Sequence, residues 1–385
     1  MQTPPKVALL VETSNAYARD LLRGINSYAR EHGPWSFYFS EHGRGEVVPH
    51  WLRNWDGQGI IVRVENEEIA KAILATRIPA VDVSFALEHS PFPRVVTDSL
   101  ETTRTAAEHL MERGFKMFGY CGDNRYHWSR LRSSLFESHI RRAGYKCHIF
   151  EGSFKSPASG DPWDKEVDAI AQWLQKLPKP IGIMACYDVR GLQVLEACRR
   201  AELQVPDEVA VIGVHNDELL CELCDPPLSS VIPNARRAGY EAAGLLDRMM
   251  RGEKIPTHRI LIAPVGVATR QSTDVVAVDD PQLARALRFI REHACEGITV
   301  DDVLKVVPMS RKILERRFKK ILKRTPHDQI MRVKIERAKS LLATTDLPTA
   351  VIAERCGFEH SDYFSVAFKR IVGEPPATYR VRNRV

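Results

Sequence analysis

Five short polar stretches follow apolar runs in residues 1–270 and carry side chains that could bind a small hydroxylated molecule. They are VETSNAYAR from Val11, VTDS from Val96, CGDNRYHWSRLR from Cys121, ACYDVRG from Ala185 and GVHND from Gly213. Carboxylates and guanidinium groups form paired hydrogen bonds with adjacent hydroxyls, and a tyrosine or tryptophan face covers the C–H side of a ring. Any one stretch could equally hold a helix N-cap, so the prediction rests on the five together.

The elements that would position these stretches alternate between short apolar runs and helical patterns. Runs such as VALLV, GIIV, MFGYCG, IGIMAC and VAVIGV each lead into a polar turn and then a helical pattern. This alternation predicts parallel sheets covered by helices on both faces. Ligands of such sheets bind beyond the carboxyl ends of the strands, where the five stretches would lie. Residues 1–270 are too many for a single small sheet, so we expect two α/β lobes.

Composition places the chain among ordinary globular proteins, since 44% of its 385 residues are apolar and 27% are charged. No run of about 18 apolar residues is present, so no membrane-spanning helix is expected. The start, MQTPPKVALLVE, lacks the basic and long apolar segments of a secretory signal. Eight scattered cysteines are typical of a reducing compartment, and we therefore expect a cytoplasmic protein.

Charge is distributed unevenly along the chain. Residues 281–385 contain 22 Lys and Arg against 12 Asp and Glu, whereas residues 1–280 contain 33 against 37. A basic segment attached to a mildly acidic one indicates a module that binds a polyanion such as nucleic acid. A solvated basic surface would give the same counts, so charge alone does not decide between the two.

Two cysteine arrangements could carry other chemistry. Cys221 and Cys224 have CxxC spacing, but a zinc site needs a second pair or histidines at ligand spacing, and none is near in sequence. Cys186 lies where the run IGIMAC turns into a helix, a position that could hold a nucleophile. The motifs GxSxG, Walker A, GxGxxG and HExxH are absent. We expect no metal, no cofactor and no catalysis, with a Cys186-dependent enzyme as the alternative.

The basic segment contains an internal repeat. Met309–Pro326 and Glu359–Pro376 match at a shift of 50 residues, which aligns Phe318 with Phe368. Apolar positions recur at i, i+4 and i+8, as on the buried face of a helix. Another short helical pattern precedes each copy, and Gly357 could take the positive φ of a tight turn. Helix, turn and helix, repeated in a basic segment, predict an all-α domain with a tandem helix-turn-helix.

The second helix of each motif would bind in a major groove of DNA, because the groove admits one α-helix and its first residues reach base edges. The helical pattern over Gln329–Leu342 would hold the two reading helices about 34 Å apart, one turn of DNA. About half of the candidate side chains should prove to contact only phosphate. The candidate DNA-binding residues are Ser310, Arg311, Lys312, Glu315, Arg316, Lys319, His360, Ser361, Asp362, Ser365 and Val366.

The second copy of the repeat also carries a family resemblance. IAERCGFEHSDYFSVAFKRIVGEPPATYR, from Ile352, closely resembles the second helix-turn-helix of the AraC/XylS transcription regulators, and the resemblance covers about Pro281–Arg380. That family usually has glycine in its first turn, where this chain has Val307-Pro308. Valine resists positive φ, so we expect the first turn to be built differently.

Residues 5–270 resemble the periplasmic-binding-protein-like sensor of the LacI-type regulators. The supporting stretches include VTDSLETTRTAAEHLMERGFKMFGYCGD, WSRLRSSLF and MACYDVRGLQVLEACRRAELQVPDEVAVIGVHND. LacI-type sensors usually have Asp where this chain has His215, which can bond a hydroxyl but lacks the paired acceptors of a carboxylate. The ligand-binding residues that the resemblance implies are Tyr17, Arg19, Asp98, Trp128, Arg132, Asp188, Arg190, His215 and Asn216.

The expected architecture is an α/β two-lobed periplasmic-binding-protein-like sensor at 1–270, a linker at 271–282, and the all-α C-terminal domain with its tandem helix-turn-helix at 283–385. A sensor followed by such a domain resembles the regulators of pentose operons. The resemblance implies a cytoplasmic, homodimeric transcription activator that binds double-stranded operator DNA and RNA polymerase. Its effector would be a small sugar, xylose or a related pentose. A DNA-binding protein with an inactive sensor is the remaining alternative.

Overall fold

The computed structural model describes residues 4–39, 49–152, 162–256, 259–274, 280–322, 324–345 and 347–383. The chain divides into two compact units, Met1–Val275 and Val276–Val385. The predicted linker begins at residue 271, but the buried Ser272 donates from Oγ to the carbonyl oxygen of Val211 at 2.6 Å. The start of the predicted linker is therefore part of the first unit, and residues 275–279 of it lie outside the described residues.

The first unit is built from alternating strands and helices. In chain order they are β1 (Lys6–Leu10), α1 (Ala16–His32), β2 (Ser36–Phe39), β3 (Gly59–Val62), α2 (Glu67–Thr76), β4 (Ala80–Asp82), β5 (Arg94–Thr97), α3 (Ser99–Glu112), β6 (Met117–Asp123), α4 (His127–Arg142), β7 (Lys146–Gly152), α5 (Pro162–Gln175), β8 (Ile181–Ala185), α6 (Asp188–Arg200), β9 (Val209–Val214), α7 (Glu218–Leu223), β10 (Ser229–Ile232), α8 (Ala235–Met250), β11 (Arg259–Ile262) and β12 (Gly266–Ala268).

The described strands of this unit form two six-stranded sheets, one in each lobe. The first has the order β11-β5-β4-β3-β1-β2, and its neighbouring strands are parallel. The second has the order β12-β10-β9-β8-β6-β7 and is parallel except for β12, which runs antiparallel to β10. The chain passes between the lobes after β5, after β10 and after β11. The prediction of two α/β lobes with parallel sheets is confirmed.

Each lobe has its own apolar core. In the first lobe, side chains such as Ile61 of β3 pack against α1 and α8, and the two helices approach each other closely. A Cβ on Gly239 would lie 2.0 Å from the carbonyl oxygen of Leu21, so glycine is required at this crossing. In the second lobe, Ile183 of β8 and Val211 of β9 lie in the core with buried residues of α5 and α6. Burying each such aliphatic side chain contributes about 1.5–3 kcal/mol.

The second unit is helical throughout its described elements. In chain order they are α9 (Pro281–His293), a 3-10 turn (Ala294–Glu296), α10 (Val300–Val306), α11 (Arg311–Leu322), α12 (Pro326–Thr344), α13 (Thr349–Arg355), α14 (Ser361–Val372) and α15 (Pro376–Asn383). The pairs α10–α11 and α13–α14 are the two predicted helix-turn-helix motifs, and α12 connects them. None of the described helices of the chain is long and apolar enough to cross a membrane.

Two aligned pairs of repeat positions are buried as predicted, whereas the aligned Ile321 and Ile371 are exposed. Leu314 and Phe318 of α11 lie in one apolar cluster, while Phe364 and Phe368 of α14 lie in another. The connecting helix α12 contributes to both, with Ile330 in the first cluster and neighbouring residues in the second. It therefore fixes one motif relative to the other, as the predicted spacer would.

The turns of the two helix-turn-helix motifs have different backbone conformations, as their sequences predict. Gly357 has φ +73°, the left-handed conformation expected of glycine between α13 and α14. Val307 has φ −125° and ψ 130°, so the first turn passes through extended backbone instead. The amide of Met309 donates to the carbonyl oxygen of Val307 at 2.8 Å within this turn. The expectation that the first turn is built without a left-handed residue is confirmed.

Candidate ligand cleft and nucleic-acid interface

Tyr17, on the first turn of α1, lies where the two lobes of the first unit meet. Its hydroxyl accepts a hydrogen bond from Thr97 Oγ1 at 3.1 Å. The guanidinium carbon of Arg63 lies 5.7 Å from the centre of its ring on the first-lobe side. His215 of the second lobe approaches the same ring, with 5.2 Å between the ring centres. Tyr17 is therefore held in place by the first lobe and contacts the second across the cleft.

Trp128 forms an aromatic wall on the second-lobe side. Its ring stacks on Tyr126 with a centre separation of 5.2 Å and an angle of 14° between the planes. Tyr187 approaches it edge-on at 5.7 Å, and the His215 ring lies 6.4 Å away. The loops after β6, β8 and β9 thus place aromatic rings beside Tyr17. Such a wall can cover the C–H face of a small ring.

Arg132 adds a cation to this wall. Its guanidinium carbon lies 5.1 Å from the centre of a Trp128 ring, and one terminal nitrogen donates to the carbonyl oxygen of Cys186 at 2.8 Å. The side chain is buried, and burial lowers its pKa. Its Nε has no hydrogen-bond partner among the described residues. A buried donor without a partner is costly, so Arg132 is a strong candidate for a ligand contact.

The loop after β9 has an unusual backbone. His215 and Asn216 have φ values of 109° and 48°, which non-glycine residues adopt at a cost of about 1–3 kcal/mol each. Three consecutive amides hold the loop: His215 N donates to Val231 O, Asn216 N to Ser230 Oγ, and the next amide to Asp188. Asn216 Oδ1 is buried and has no partner within the described structure. Strain of this kind is found where a side chain must be aimed at a ligand.

Asp188 holds the loop after β9 in place through hydrogen bonds. Its carboxylate accepts from Ser230 Oγ at 2.6 Å and from the amide of Asp217 at 2.8 Å. The side chain is only 2% exposed, and burial raises the pKa of Asp188 to about 7. Both carboxylate oxygens thus have protein donors. The observed contacts give Asp188 a positioning role for His215 and Asn216, while its predicted contact with a ligand stays a prediction.

Two further predicted ligand residues are engaged inside the protein. Asp98 is the N-cap of α3 and accepts from the amides of Leu100 and Glu101. Arg190 is 1% exposed and lies 2.5 Å from Glu166, with Asp123 at 3.6 Å. The contacts of Asp98 fit the helix N-cap that the sequence left open, and Arg190 forms salt bridges inside the protein.

Arg19 connects the two lobes of the first unit. It donates to the carbonyl oxygen of Thr13 at 2.9 Å and lies 3.9 Å from Asp217 of the second lobe. The amide of Ala16 also donates to Asp217, at 3.1 Å. The N-terminus of α1 is thereby joined to the strained loop that carries His215.

A charged group that sequence reasoning missed lies beside Tyr17. Arg63, which follows β3, forms ion pairs with Glu12 and, at 3.3 Å, with Glu65. Asn15 Nδ2 donates to Glu12 Oε1 at 3.0 Å. The side chains of Arg63 and Glu12 are only 10% and 3% exposed. The sequence did contain a signal for these charged residues: they directly follow β1 and β3, just as the five polar stretches follow their strands.

A separate cavity of about 430 Å³ opens beside β2, away from the cleft. Its lining includes Tyr38, Trp51 and Trp55, whose rings pack against one another with centres 4.5–5.5 Å apart. None of the predicted ligand residues lines it. The convergence of predicted side chains, and not cavity size, therefore marks the cleft as the candidate ligand site.

The basic face of α11 is the candidate DNA-binding surface of the first motif. Lys312, Arg316 and Lys319 are exposed on one side of this helix, opposite the buried Leu314. Arg311 instead contacts Glu315 at 3.2 Å and an aspartate of α10 at 3.3 Å. These exposed pairs contribute little to stability and can be exchanged for DNA contacts. Ser310 directly precedes α11, and its carbonyl oxygen accepts from the amides of Ile313 and Leu314.

The corresponding face of α14 is less charged. His360 is its N-cap residue, followed by Ser361 and Asp362 in the exposed first turn. Val366 is 67% exposed, as a contact with a thymine methyl requires. Ser365 donates from Oγ to the carbonyl oxygen of Ser361 at 3.0 Å, so its hydroxyl proton is already used.

Sequence reasoning missed Tyr363 on the same helix. Its side chain is 50% exposed and lies one residue from Asp362. Its exposure could not be told from the sequence, because Tyr363, Phe364 and Phe368 together form one apolar helical pattern.

Comparison with known proteins decides the family. Three family models match: a XylR N-terminal domain at residues 6–99, a periplasmic binding protein-like domain at 107–273 and a helix-turn-helix domain at 303–382. The xylose operon regulatory protein of Escherichia coli strain K12 is 33% identical over 98% of this chain and 97% of its own length. The chain belongs to the xylose operon regulatory protein family. A relative of the same name from Haemophilus influenzae is 32% identical and is covered to 98%.

A solved structure agrees with this assignment over both units. The structure of the xylose-binding transcription activator XylR matches with a TM-score of 0.81 and 32% identity, and the match covers 100% of each chain. A complex of the regulator CelR with cellobiose matches 69% of this chain with a TM-score of 0.57 and 20% identity, which shows only the shared fold of the sensor. A xylose operon regulatory protein is a DNA-binding transcription regulator with an AraC-type helix-turn-helix domain, and so is this chain.

The enzyme alternative finds no support in this family or in the structure. The similar proteins are transcription regulators. Cys186 is fully buried, and burial raises the pKa of its thiol to about 11, the opposite of what a nucleophile needs. Cys221 and Cys224 are also buried with raised pKa values, and no cluster of metal-binding side chains occurs among the described residues.

Proposed function

We propose that this chain activates transcription of a pentose operon when a sugar of the xylose type binds in the cleft of the first unit. One observation carries the proposal: Tyr17, Trp128, Arg132 and His215 converge between the lobes of a chain that matches a xylose-binding activator along its whole length. Aromatic faces, a guanidinium fork and an imidazole suit a small ring that carries several hydroxyls.

Within this proposal the cleft residues have two roles. Tyr17, Trp128, Arg132, His215 and Asn216 contact the sugar in this proposal. The rings of Tyr17, Trp128 and His215 lie close together between the lobes. Arg132 Nε and Asn216 Oδ1 are buried without a partner among the described residues. The remaining predicted residues position these contacts through hydrogen bonds and ion pairs inside the protein. The positioning residues are Arg19, Asp98, Asp188 and Arg190.

The sugar acts by favouring one arrangement of the two lobes. A ligand shifts such an equilibrium only if it binds the two arrangements with different affinity. Contacts to both lobes meet that requirement, because Tyr17 belongs to the first lobe and Trp128, Arg132 and His215 to the second. A sugar between them is bound fully only when the lobes are close together.

The second unit binds double-stranded operator DNA through α11 and α14. Lys312, Arg316 and Lys319 of α11 supply the more specific contacts, because Arg and Lys form paired bonds with guanine. The repeat places Asp362 and Val366 of α14 at the positions of Lys312 and Arg316. The less charged α14 thus contributes fewer base contacts. The proposal includes a homodimer, contact with RNA polymerase and a cytoplasmic location, as the resemblance to such regulators implies.

The direct test is thermal shift of the full chain with D-xylose, L-arabinose, D-ribose and D-glucose, followed by footprinting with and without the best ligand. D-xylose should raise the melting temperature, because a ligand that binds only the folded state stabilises it. Arg132→Ala should need a higher sugar concentration for the same shift, whereas Arg142→Ala, at the exposed end of the same helix, should respond like wild type. A protein that melts at the same temperature with every sugar, yet still protects operator DNA, would favour the inactive-sensor alternative.

A further inference from the structure

Two cysteines lie side by side in the second unit, although they are far apart in sequence. Cys295 is in the 3-10 turn after α9, and Cys356 ends α13. The two thiols interact, since each shifts the pKa of the other: that of Cys295 is lowered and that of Cys356 is raised. The backbones also approach closely, since a Cβ on Gly357 would lie 2.5 Å from the carbonyl oxygen of Cys295. The backbone contact and the interaction of the thiols place Cys295 and Cys356 next to each other.

Positive charge surrounds this pair on the α12 side. Lys334 is 8% exposed, and its ammonium donates to the carbonyl oxygen of Gly357 at 2.6 Å. The interaction with the Cys356 thiol lowers the pKa of Cys295 to about 7, and Arg337 and Lys334 act in the same direction. Burial, which is the second-largest influence, and Glu296 act in the opposite direction. A lowered pKa favours the thiolate of Cys295, which is the reactive form.

Cys295 differs from the other cysteines of the chain. It is partly exposed, whereas its neighbour Cys356 is buried. Cys147 is also partly exposed, but burial raises the pKa of its thiol to about 12. Five other cysteines are buried with raised pKa values, and they are Cys121, Cys186, Cys198, Cys221 and Cys224. An accessible thiolate beside a second thiol is the arrangement of a redox-sensitive pair.

We propose that Cys295 and Cys356 form a reversible disulfide when the protein meets a peroxide. The Cys295 thiolate attacks one peroxide oxygen, becomes a sulfenic acid and releases hydroxide. The Cys356 sulfur then attacks the sulfenic sulfur, and the S–O bond breaks as water leaves. Two thiols lose two protons and two electrons in total, and hydrogen peroxide is reduced to two molecules of water. A dithiol reductant restores the pair by thiol–disulfide exchange.

The disulfide would act on DNA binding through the second turn. Cys356 and Gly357 form the turn that leads to α14 of the second motif. Cys295 lies between α9 and α10, just before the first motif. A covalent bond draws two sulfurs closer than a contact between two thiols does. The Gly357 backbone is already in contact with Cys295, so the turn must shift and α14 with it. We expect weaker operator binding by the oxidised protein, a consequence that rests on the proposed DNA-binding role.

The bond itself is tested on the full chain without DNA. The protein is treated with hydrogen peroxide, blocked with N-ethylmaleimide and mapped as peptides without reduction. The expected product links the peptides of Cys295 and Cys356, and its rate of formation should rise as pH rises through about 7. Cys295→Ser should abolish the link and Cys147→Ser should retain it. Oxidation that begins at another cysteine, or sulfinic acid at Cys295 without a link, would overturn the proposal.

The consequence is tested by operator binding of reduced and oxidised protein. Oxidation should weaken binding severalfold, and dithiothreitol should restore it. Cys295→Ser should bind like reduced protein before and after peroxide. Equal binding of the reduced and the disulfide-linked protein would overturn the effect on DNA. Failure of reduced protein to bind operator at all would count against the proposed function and not against the disulfide.

Discussion

Replacing Asp188 by Asn should change how the stability of the first unit depends on pH. Asp188 is 2% exposed, and burial raises its pKa to about 7, whereas an aspartate in an unfolded chain has a pKa of about 3.9. Between about pH 4 and pH 7, the Asp188 carboxyl is therefore protonated in the folded protein but ionised in the unfolded chain. Stability supplied by the protonated form is complete below about pH 4 and is lost as pH rises through about 7.

The magnitude follows from the separation of the two pKa values. About three pKa units at about 1.4 kcal/mol each give about 4 kcal/mol, an upper figure because the protein can relax around the charge. This free energy is the cost of ionising Asp188 while two donors, Ser230 Oγ and the amide of Asp217, offset only part of the desolvation. The amide of the Asp188→Asn variant has no charge to bury, so the variant should lose this dependence.

Urea unfolding of wild type and Asp188→Asn between pH 4 and pH 8 tests the reasoning. The free energy of unfolding of wild type should fall relative to that of the variant as pH rises, by up to about 4 kcal/mol. Ser230→Ala removes one hydrogen bond to the ionised form and should move the inflection to higher pH. Parallel pH profiles of wild type and Asp188→Asn would refute the assignment of a raised pKa to this carboxyl.

Three other outcomes are expected. Arg132→Ala should weaken sugar binding by about 1.5–3 kcal/mol in calorimetry, the value of a charged hydrogen bond, and Arg132→Lys should restore only part of that binding energy. Full affinity of Arg132→Ala would remove the residue from the site. Lys312→Ala should cost about 1–3 kcal/mol on operator DNA and much less on random DNA, and an equal loss on both in anisotropy titrations would make it a phosphate contact. Operator affinity should fall steeply between about 50 and 200 mM salt, and a flat salt dependence would contradict the basic interface.

Much of the fold was predictable because its signals are local. The apolar runs of β1, β3, β6, β8 and β9 are buried on both sheet faces, so they appear in the sequence without interruption. The strands that the patterns did not predict lie at or near sheet edges. They are β7, β10, β11 and β12. Edge strands need less apolar surface, as the exposed and partly buried residues of β7 show, and their pairing depends on distant residues.

The candidate site was predictable in its location but less so in its detail. The rule that ligands bind beyond strand ends correctly brought Tyr17, Trp128 and His215 together. The same rule could not say which way a polar side chain turns. Asp98 turns back to cap its own helix, and Arg190 turns toward Glu166. Those choices depend on three-dimensional neighbours that a linear pattern does not contain.

The strained loop after β9 explains how sugar binding and lobe closure can be one event. His215 contacts Tyr17 of the first lobe, and two residues later Asp217 accepts a hydrogen bond from the amide of Ala16. The proposed ligand contact of His215 and the contact between the lobes therefore share one short segment, which a hydrogen bond to Asp188 holds in place. Strain at His215 is tolerated only while these contacts persist. A sugar that fixes the His215 ring lowers the cost of keeping the lobes together, which is the differential affinity that a regulator needs.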